Sequence, residues 1–148
     1  MPHWRLFYHV VWGTKYHQPL IGDEDAAVVE RSIRTTLRSL GAMPHAIGVI
    51  PDHVHVAVSI HPSVSISKGV GRMKGASAFA LNHHPSRPRE IRCARQAGFG
   101  VLSFGERALP DVIAYIRNQR EHHAAKRLWA PLDVMTESAT QVNSIQVV

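Results

Sequence analysis

The amino-acid sequence predicts an α+β fold, a ferredoxin-like split βαββαβ antiparallel sheet followed by one extra C-terminal helix. Segments with the two-residue period of a strand alternate with segments of helical period, in the order β-α-β-β-α-β-α. The two middle strands are separated only by Pro51 and Asp52, which is typical of a hairpin turn. In this topology the first and third strands lie at the centre of the sheet.

The first half of the chain supplies a strand, a helix and the hairpin. Residues 5–14 are rich in aromatic and β-branched side chains, which favours a strand. Residues 23–41 place apolar side chains on one helical stripe, with acids in the first turn and a glycine at the end. Residues 45–50 and 53–60 follow as the paired strands of the hairpin.

The second half predicts a helix interrupted by glycines over residues 63–82 and an irregular connection over residues 83–97. A strand over residues 99–104 and a long helix over residues 109–129 come next, and Pro110 suits the first turn of that helix. We therefore expect one domain over residues 1–132, with a polar C-terminal tail over residues 133–148.

The composition favours an intracellular protein with a polyanionic partner. The 148 residues carry 17 Lys and Arg against 11 Asp and Glu, a formal charge of +6. The single cysteine excludes an internal disulfide and a cysteine-based metal cage, which fits a reducing compartment. No run approaches the roughly 18 apolar residues of a membrane span. We expect a cytoplasmic location.

His53 and His55 form the first candidate site. They alternate with valines, so both imidazoles point to one face of a strand and can converge on one cation, but a metal site needs a third ligand. Tyr115, Gln119 and His122 share a helical face offset from the apolar stripe, and that face can supply the ligand. Alone, the pair is more typical of strand histidines bonded to water or neighbours, Tyr115 of a packing residue, and Gln119 of a solvated side chain.

Three separated stretches carry a family resemblance: PDHVHV, GRMKGASAFALN and AYIRNQREHH. Together they resemble the single-tyrosine HUH transposases of bacterial insertion sequences, the IS200-like transposases, and the related REP-associated tyrosine transposases. HVVWGTKYHQP is similar to the family's first strand and turn, although Gly13 and His17 stand where relatives often have basic residues. The resemblance covers roughly residues 5–130.

The resemblance implies a DNA transposase and nickase, a metal-dependent single-stranded DNA endonuclease and strand transferase. Tyr115 matches the nucleophile, carried by the extra helix, while His53, His55 and Gln119 match the ligands of Mg²⁺ or Mn²⁺. Single-stranded DNA is then cleaved and rejoined at ends marked by imperfect hairpins, through a 5′-phosphotyrosine. The family also implies a homodimer in which the tyrosine helix can complete the partner's site, with Gly105 as a hinge.

Basic side chains between residues 66 and 100 are the candidate DNA contacts, since only Glu90 opposes them. They are Lys68, Arg72, Lys74, Arg87, Arg89, Arg92 and Arg95. Two alternatives remain open. A histidine-triad nucleotide hydrolase would need a further histidine where Ala57 stands. A domesticated DNA hairpin-binding protein without transposition activity would bind single-stranded DNA but not cut it.

Overall fold

The computed structural model describes residues 3–94 and 98–119, and these form a four-stranded antiparallel sheet with the strand order β2-β3-β1-β4. The elements are, in chain order, β1 Phe7–Gly13, α1 Asp23–Ser39, β2 Met43–Ile50, β3 His53–Ser59, α2 Ile66–Asn82, β4 Gly100–Phe104 and α3 Leu109–Arg117. The predicted α+β fold and element order are confirmed, and β1 and β3 are the central strands. The predicted tail, residues 133–148, lies outside the described residues.

One face of the sheet carries the larger apolar core. Val54, Val56 and Val58 of β3 pack there with residues of α1 and α2 such as Ile33 and Met73. Because side chains alternate along a strand, this packing turns His53 and His55 to the opposite face. The expected division of β3 into a valine face and a histidine face is confirmed.

Helix α3 covers the histidine face. Val112, Tyr115 and Ile116 cluster there with Ala57 of β3 and Ala46 of β2. Tyr115 is therefore part of the apolar contact, and the expectation that it lies on a face offset from the apolar stripe is wrong. The contact is close because β2 and β3 present small side chains beneath the helix.

Gly48 of β2 allows the closest approach between the sheet and α3. A Cβ atom at this position would lie 2.7 Å from the backbone oxygen of Ile116 and 3.0 Å from its Cγ2. In the sheet Gly48 pairs with His55. The absent side chain thus sets how closely the end of α3 approaches the strand that carries the histidines.

Only the first part of the predicted last helix, residues 109–129, lies within the described residues. Helix α3 stops at Arg117, and its C-cap Asn118 has φ −95° and ψ 13°. The part of the predicted helix from residue 120 onward, including His122, lies outside the described residues. Among the residues described, no helix is both long and apolar enough to cross a bilayer.

Candidate metal and tyrosine site

The candidate site is a buried layer between β3 and α3. His53 is 4% exposed and His55 fully buried, and their ring centroids lie 4.8 Å apart. Helix α3 holds the Tyr115 ring edge-on to His55, with 6.0 Å between centroids, and Tyr115 is only 5% exposed. The fold therefore brings the predicted nucleophile and the predicted histidine pair to the same face of the sheet.

Gln119 lies just beyond the end of α3 and is 1% exposed. Its Nε2 donates to the Tyr115 carbonyl oxygen at 3.3 Å. Its Oε1 is buried and has no hydrogen-bond partner among the described residues. Gln119 lines a cleft with Gly48, the residue that pairs with His55. A buried amide oxygen without a donor is costly, and a cation beside the histidines would satisfy it.

The Asp52 carboxylate orients the His53 ring. Its Oδ1 lies 2.5 Å from His53 Nδ1, a contact that the hairpin turn makes possible because it puts the two residues side by side. A carboxylate accepts a hydrogen bond, so the His53 proton lies on Nδ1 and the lone pair on Nε2. This is the usual arrangement of a metal-binding histidine and its supporting carboxylate.

His9 of β1 is a third histidine at the site, and the sequence analysis missed it. It is fully buried, and its Nε2 lies 2.9 Å from His55 Nδ1. The two rings stack with their centroids 5.1 Å apart, and the His9 ring is edge-on to Tyr115. Burial away from water lowers the pKa of His9 from 6.5 to about 4, so the ring is neutral near pH 7.

The donor set fits a divalent cation only if the amide takes part. Within residues 3–94 and 98–119, no group of three or more His, Cys, Asp or Glu side chains is arranged to hold a metal ion. His53 and His55 would supply two imidazoles, and Gln119 Oε1 is the buried oxygen that could act as a third donor. Two nitrogens and one oxygen suit Mn²⁺ at least as well as Mg²⁺.

Comparison with known proteins identifies the family of the chain. The family model described as "Transposase IS200 like" matches residues 2–119 of the chain. The chain belongs to the IS200-like transposase family. It is 36% identical over 126 residues to the ISDra2 transposase TnpA of Deinococcus radiodurans. That alignment covers 80% of this chain and 86% of the relative. The chain is 26% identical over 124 residues to the IS200 transposase of Salmonella typhimurium, with 80% and 79% covered.

Two solved structures share the fold. A crystal structure from Deinococcus radiodurans R1, of a protein described only as a candidate transposase, superposes with a TM-score of 0.61 at 29% identity and covers 80% of this chain and 98% of that one. A REP-associated tyrosine transposase, solved with a REP hairpin bound, gives a TM-score of 0.61 at 14% identity, with 83% and 74% covered. The family recognised from the sequence motifs is confirmed.

Two of the seven basic residues predicted to contact DNA are occupied inside the molecule. Lys74 is 7% exposed, and its Nζ donates to the Gly98 carbonyl oxygen at 2.5 Å. The Arg87 side chain is 4% exposed and bonds Asp25 Oδ2 at 3.1 Å and the Leu20 carbonyl oxygen at 2.9 Å. Both side chains hold loops in place, because each links segments that are distant in the sequence.

Of the other five basic residues, four are exposed and one lies outside the described residues. Those with exposed side chains are Lys68, Arg72, Arg89 and Arg92. Lys68 and Arg72 belong to α2, which packs on the sheet face opposite to α3. Arg95 lies outside the described residues. In this transposase family member, contact of the four exposed side chains with DNA stays a prediction, as do the roles of Tyr115 and the metal ligands.

Proposed function

We propose that this transposase cleaves and rejoins single-stranded DNA at hairpin-marked ends through a 5′-phosphotyrosine on Tyr115, assisted by a divalent cation. One observation carries the proposal: α3 holds the Tyr115 ring 6.0 Å, centroid to centroid, from His55, on the sheet face that also bears His53. Phosphodiester transfer needs a nucleophile and a positive charge beside the phosphate. Tyr115 would supply the nucleophile, and the two imidazoles would hold the cation.

The chemistry follows from the phenol of Tyr115. Its oxygen attacks the scissile phosphorus, the Tyr115 O–P bond forms and the P–O3′ bond breaks. The proton lost by the phenol balances the proton gained by the departing 3′-oxygen. A 3′-hydroxyl from another strand reverses the step, since it re-forms a P–O3′ bond and releases Tyr115. The phosphodiester energy is conserved in the protein linkage, so joining needs no ATP.

His53 and His55, with Gln119, would hold Mg²⁺ or Mn²⁺. When bound, such an ion supplies Lewis-acid polarisation of a phosphate oxygen. Asp52 keeps the His53 proton on Nδ1, so that Nε2 can ligate. Gln119 connects the two parts of the site, because its Nε2 bonds the Tyr115 backbone while its Oε1 remains for a cation.

Hairpin DNA is the substrate class that we propose. The REP-associated tyrosine transposase with the same fold was solved bound to a REP hairpin. The exposed Lys68, Arg72, Arg89 and Arg92 supply positive charge for phosphate contacts.

We further infer that the protein acts as a homodimer. Helix α3 packs here on the sheet of its own chain, and exchange between subunits would use the exposed Gly105 that precedes it.

The decisive test replaces Tyr115 by phenylalanine. Single-stranded DNA from each flank of the gene, one strand at a time, is incubated with the protein and Mn²⁺ or Mg²⁺ and run on a denaturing gel. We expect a slow, protease-sensitive DNA band with the natural protein and none with Tyr115→Phe, which keeps the buried ring but lacks the phenol oxygen. Hairpin binding by Tyr115→Phe should be nearly unchanged. Nicking by Tyr115→Phe would remove Tyr115 from its role.

A second test concerns the metal. His53→Ala should lose Mn²⁺ binding in calorimetry and lose cleavage with it, whereas His45→Ala, which changes a half-buried histidine outside the site, should keep both. Unchanged Mn²⁺ affinity in His53→Ala would contradict the ligand assignment. If the natural protein binds hairpins tightly but forms no adduct with any strand, the chain is the non-cutting, domesticated binding protein instead.

A further inference from the structure

His9 is the buried polar group that the proposed chemistry leaves without a task. It sits in the middle of β1 between Tyr8 and Val10, and no part of it is exposed. Its Nδ1 has no hydrogen-bond partner among the described residues. A buried polar atom without a partner lowers stability, so an apolar side chain would suit this strand position better. This cost in stability indicates that the other ring nitrogen of His9, Nε2, has a function.

The contact between His9 and His55 decides where the His55 proton lies. His9 Nε2 and His55 Nδ1 are 2.9 Å apart, so one hydrogen lies between them. If His55 Nδ1 donates, its Nε2 keeps a lone pair and can bind a cation. If His9 Nε2 donates, the neutral His55 ring carries its proton on Nε2 and cannot ligate through that atom.

The His53 ring supplies the comparison. Its Nδ1 is bonded to the Asp52 carboxylate, which accepts and never donates when ionised, so the proton of His53 is on Nδ1. His55 follows His53 by two residues on the same face of β3, and its Nδ1 likewise lies within hydrogen-bond distance of a second residue, His9. Both candidate ligands thus have Nδ1 held by a second residue and Nε2 on the other side of the ring.

We propose that His9 is a positioning residue: it accepts a hydrogen bond from His55 Nδ1–H and so holds His55 in the tautomer that binds a divalent cation through Nε2. The inference rests on the proposed function, since it gives His9 a task only if His55 is a metal ligand. It extends the site across the sheet, from β3 to the neighbouring central strand β1.

The tautomer can be measured directly in the metal-free natural protein. Nitrogen-15 NMR of the histidine rings distinguishes a protonated ring nitrogen from one with a lone pair. We expect His55 to be protonated at Nδ1 with the lone pair on Nε2, and His9 to be protonated at its own Nδ1. A His55 ring protonated at Nε2 would overturn the proposal, whether or not any variant folds.

Three variants test the consequence for metal binding. His9→Phe keeps a ring but cannot accept a hydrogen bond, and we expect its Mn²⁺ affinity in calorimetry to fall roughly 10- to 100-fold. His9→Gln has an amide oxygen that can accept, and should recover part of the loss. His45→Phe makes the same exchange at the half-buried histidine beside Phe7 and should bind Mn²⁺ as the natural protein does.

Thermal unfolding separates positioning from a structural role. We expect His9→Phe to melt near the natural temperature, because it removes the unpaired His9 Nδ1 but leaves the His55 Nδ1–H without its acceptor, while its Mn²⁺ affinity falls. Equal Mn²⁺ affinity in His9→Phe and the natural protein would refute the proposal. If the natural protein forms no DNA adduct, the proposed function fails, but the Mn²⁺ titrations still decide the role of His9. A natural protein that binds no Mn²⁺ at all overturns the inference about His9.

Discussion

Replacing Gly48 by alanine should displace the end of α3 and with it Tyr115. The new Cβ would lie 2.7 Å from the Ile116 backbone oxygen, whereas ordinary contact begins at 3.4 Å. The distance must therefore grow by about 0.7 Å, and since both sides of the contact are backbone, no side-chain rotation can relieve it. Ile116 directly follows Tyr115, so the shift reaches the tyrosine.

The size of the effect follows from this geometry. Overpacking of a close contact costs about 1–3 kcal/mol of stability. A misplacement of about 1 Å in a reacting group can slow a reaction by roughly a hundredfold. We therefore expect Gly48→Ala to lower the free energy of unfolding in urea by about 1–3 kcal/mol and to slow single-turnover adduct formation by about 10- to 100-fold.

Gly71→Ala is the matched control. Gly71 lies on the exposed side of α2, and a Cβ there would meet nothing within 4 Å. Alanine in a helix is favoured over glycine by about 1 kcal/mol, so this variant should be slightly more stable and equally active. If Gly48→Ala matched the natural protein in both stability and adduct rate, the close approach would not position Tyr115. A loss of stability alone would show that the sheet, not α3, absorbs the strain.

Three further outcomes are expected. Arg87→Met should lower the free energy of unfolding in urea by about 3–5 kcal/mol, because it leaves Asp25 without its buried partner; a loss below 1 kcal/mol would contradict this. Burial lowers the pKa of His45 below 6.5, so below pH 6.5 the unfolded chain binds the extra proton and stability falls as the pH falls. His45→Gln should make the loss of stability below pH 6.5 shallower. If the stability of His45→Gln had the same pH profile as that of the natural protein, His45 would not be the cause of the loss. Lys68→Gln should reduce the salt dependence of hairpin binding by about one unit of slope if Lys68 contacts a phosphate, and leave it unchanged otherwise.

The sequence predicted the element order because each element is encoded locally. The alternation of His53 and His55 with valines fixed which face of β3 is apolar, and the topology placed β3 at the centre. The combination of motifs identified the family. The departure from helical geometry at Asn118 was not predictable, since no glycine or proline marks it.

The remaining features depend on contacts between distant segments. His9 is one histidine in an otherwise apolar strand, and only the pairing of β1 with β3 brings it to His55. The close approach at Gly48 appears only when α3 is docked. From the sequence alone, Lys74 and Arg87 are indistinguishable from surface charges, because the partners that bury them, Gly98, Asp25 and Leu20, lie 24 to 67 residues away in the sequence.

The two faces of the sheet differ in how much of the described molecule they hold together. The valine face gathers sixteen buried residues from β1, α1, β2, β3, α2 and the loops beside them, whereas the cluster beneath α3 has six. Regions with few buried apolar contacts open most easily, so we expect α3 to open locally while the rest of the described sheet stays folded. Native-state hydrogen exchange would then release the amides of α3 well before those of β1 and β3. If Tyr115, which is 5% exposed, is the proposed nucleophile, such a partial opening would let it reach a DNA strand without global unfolding.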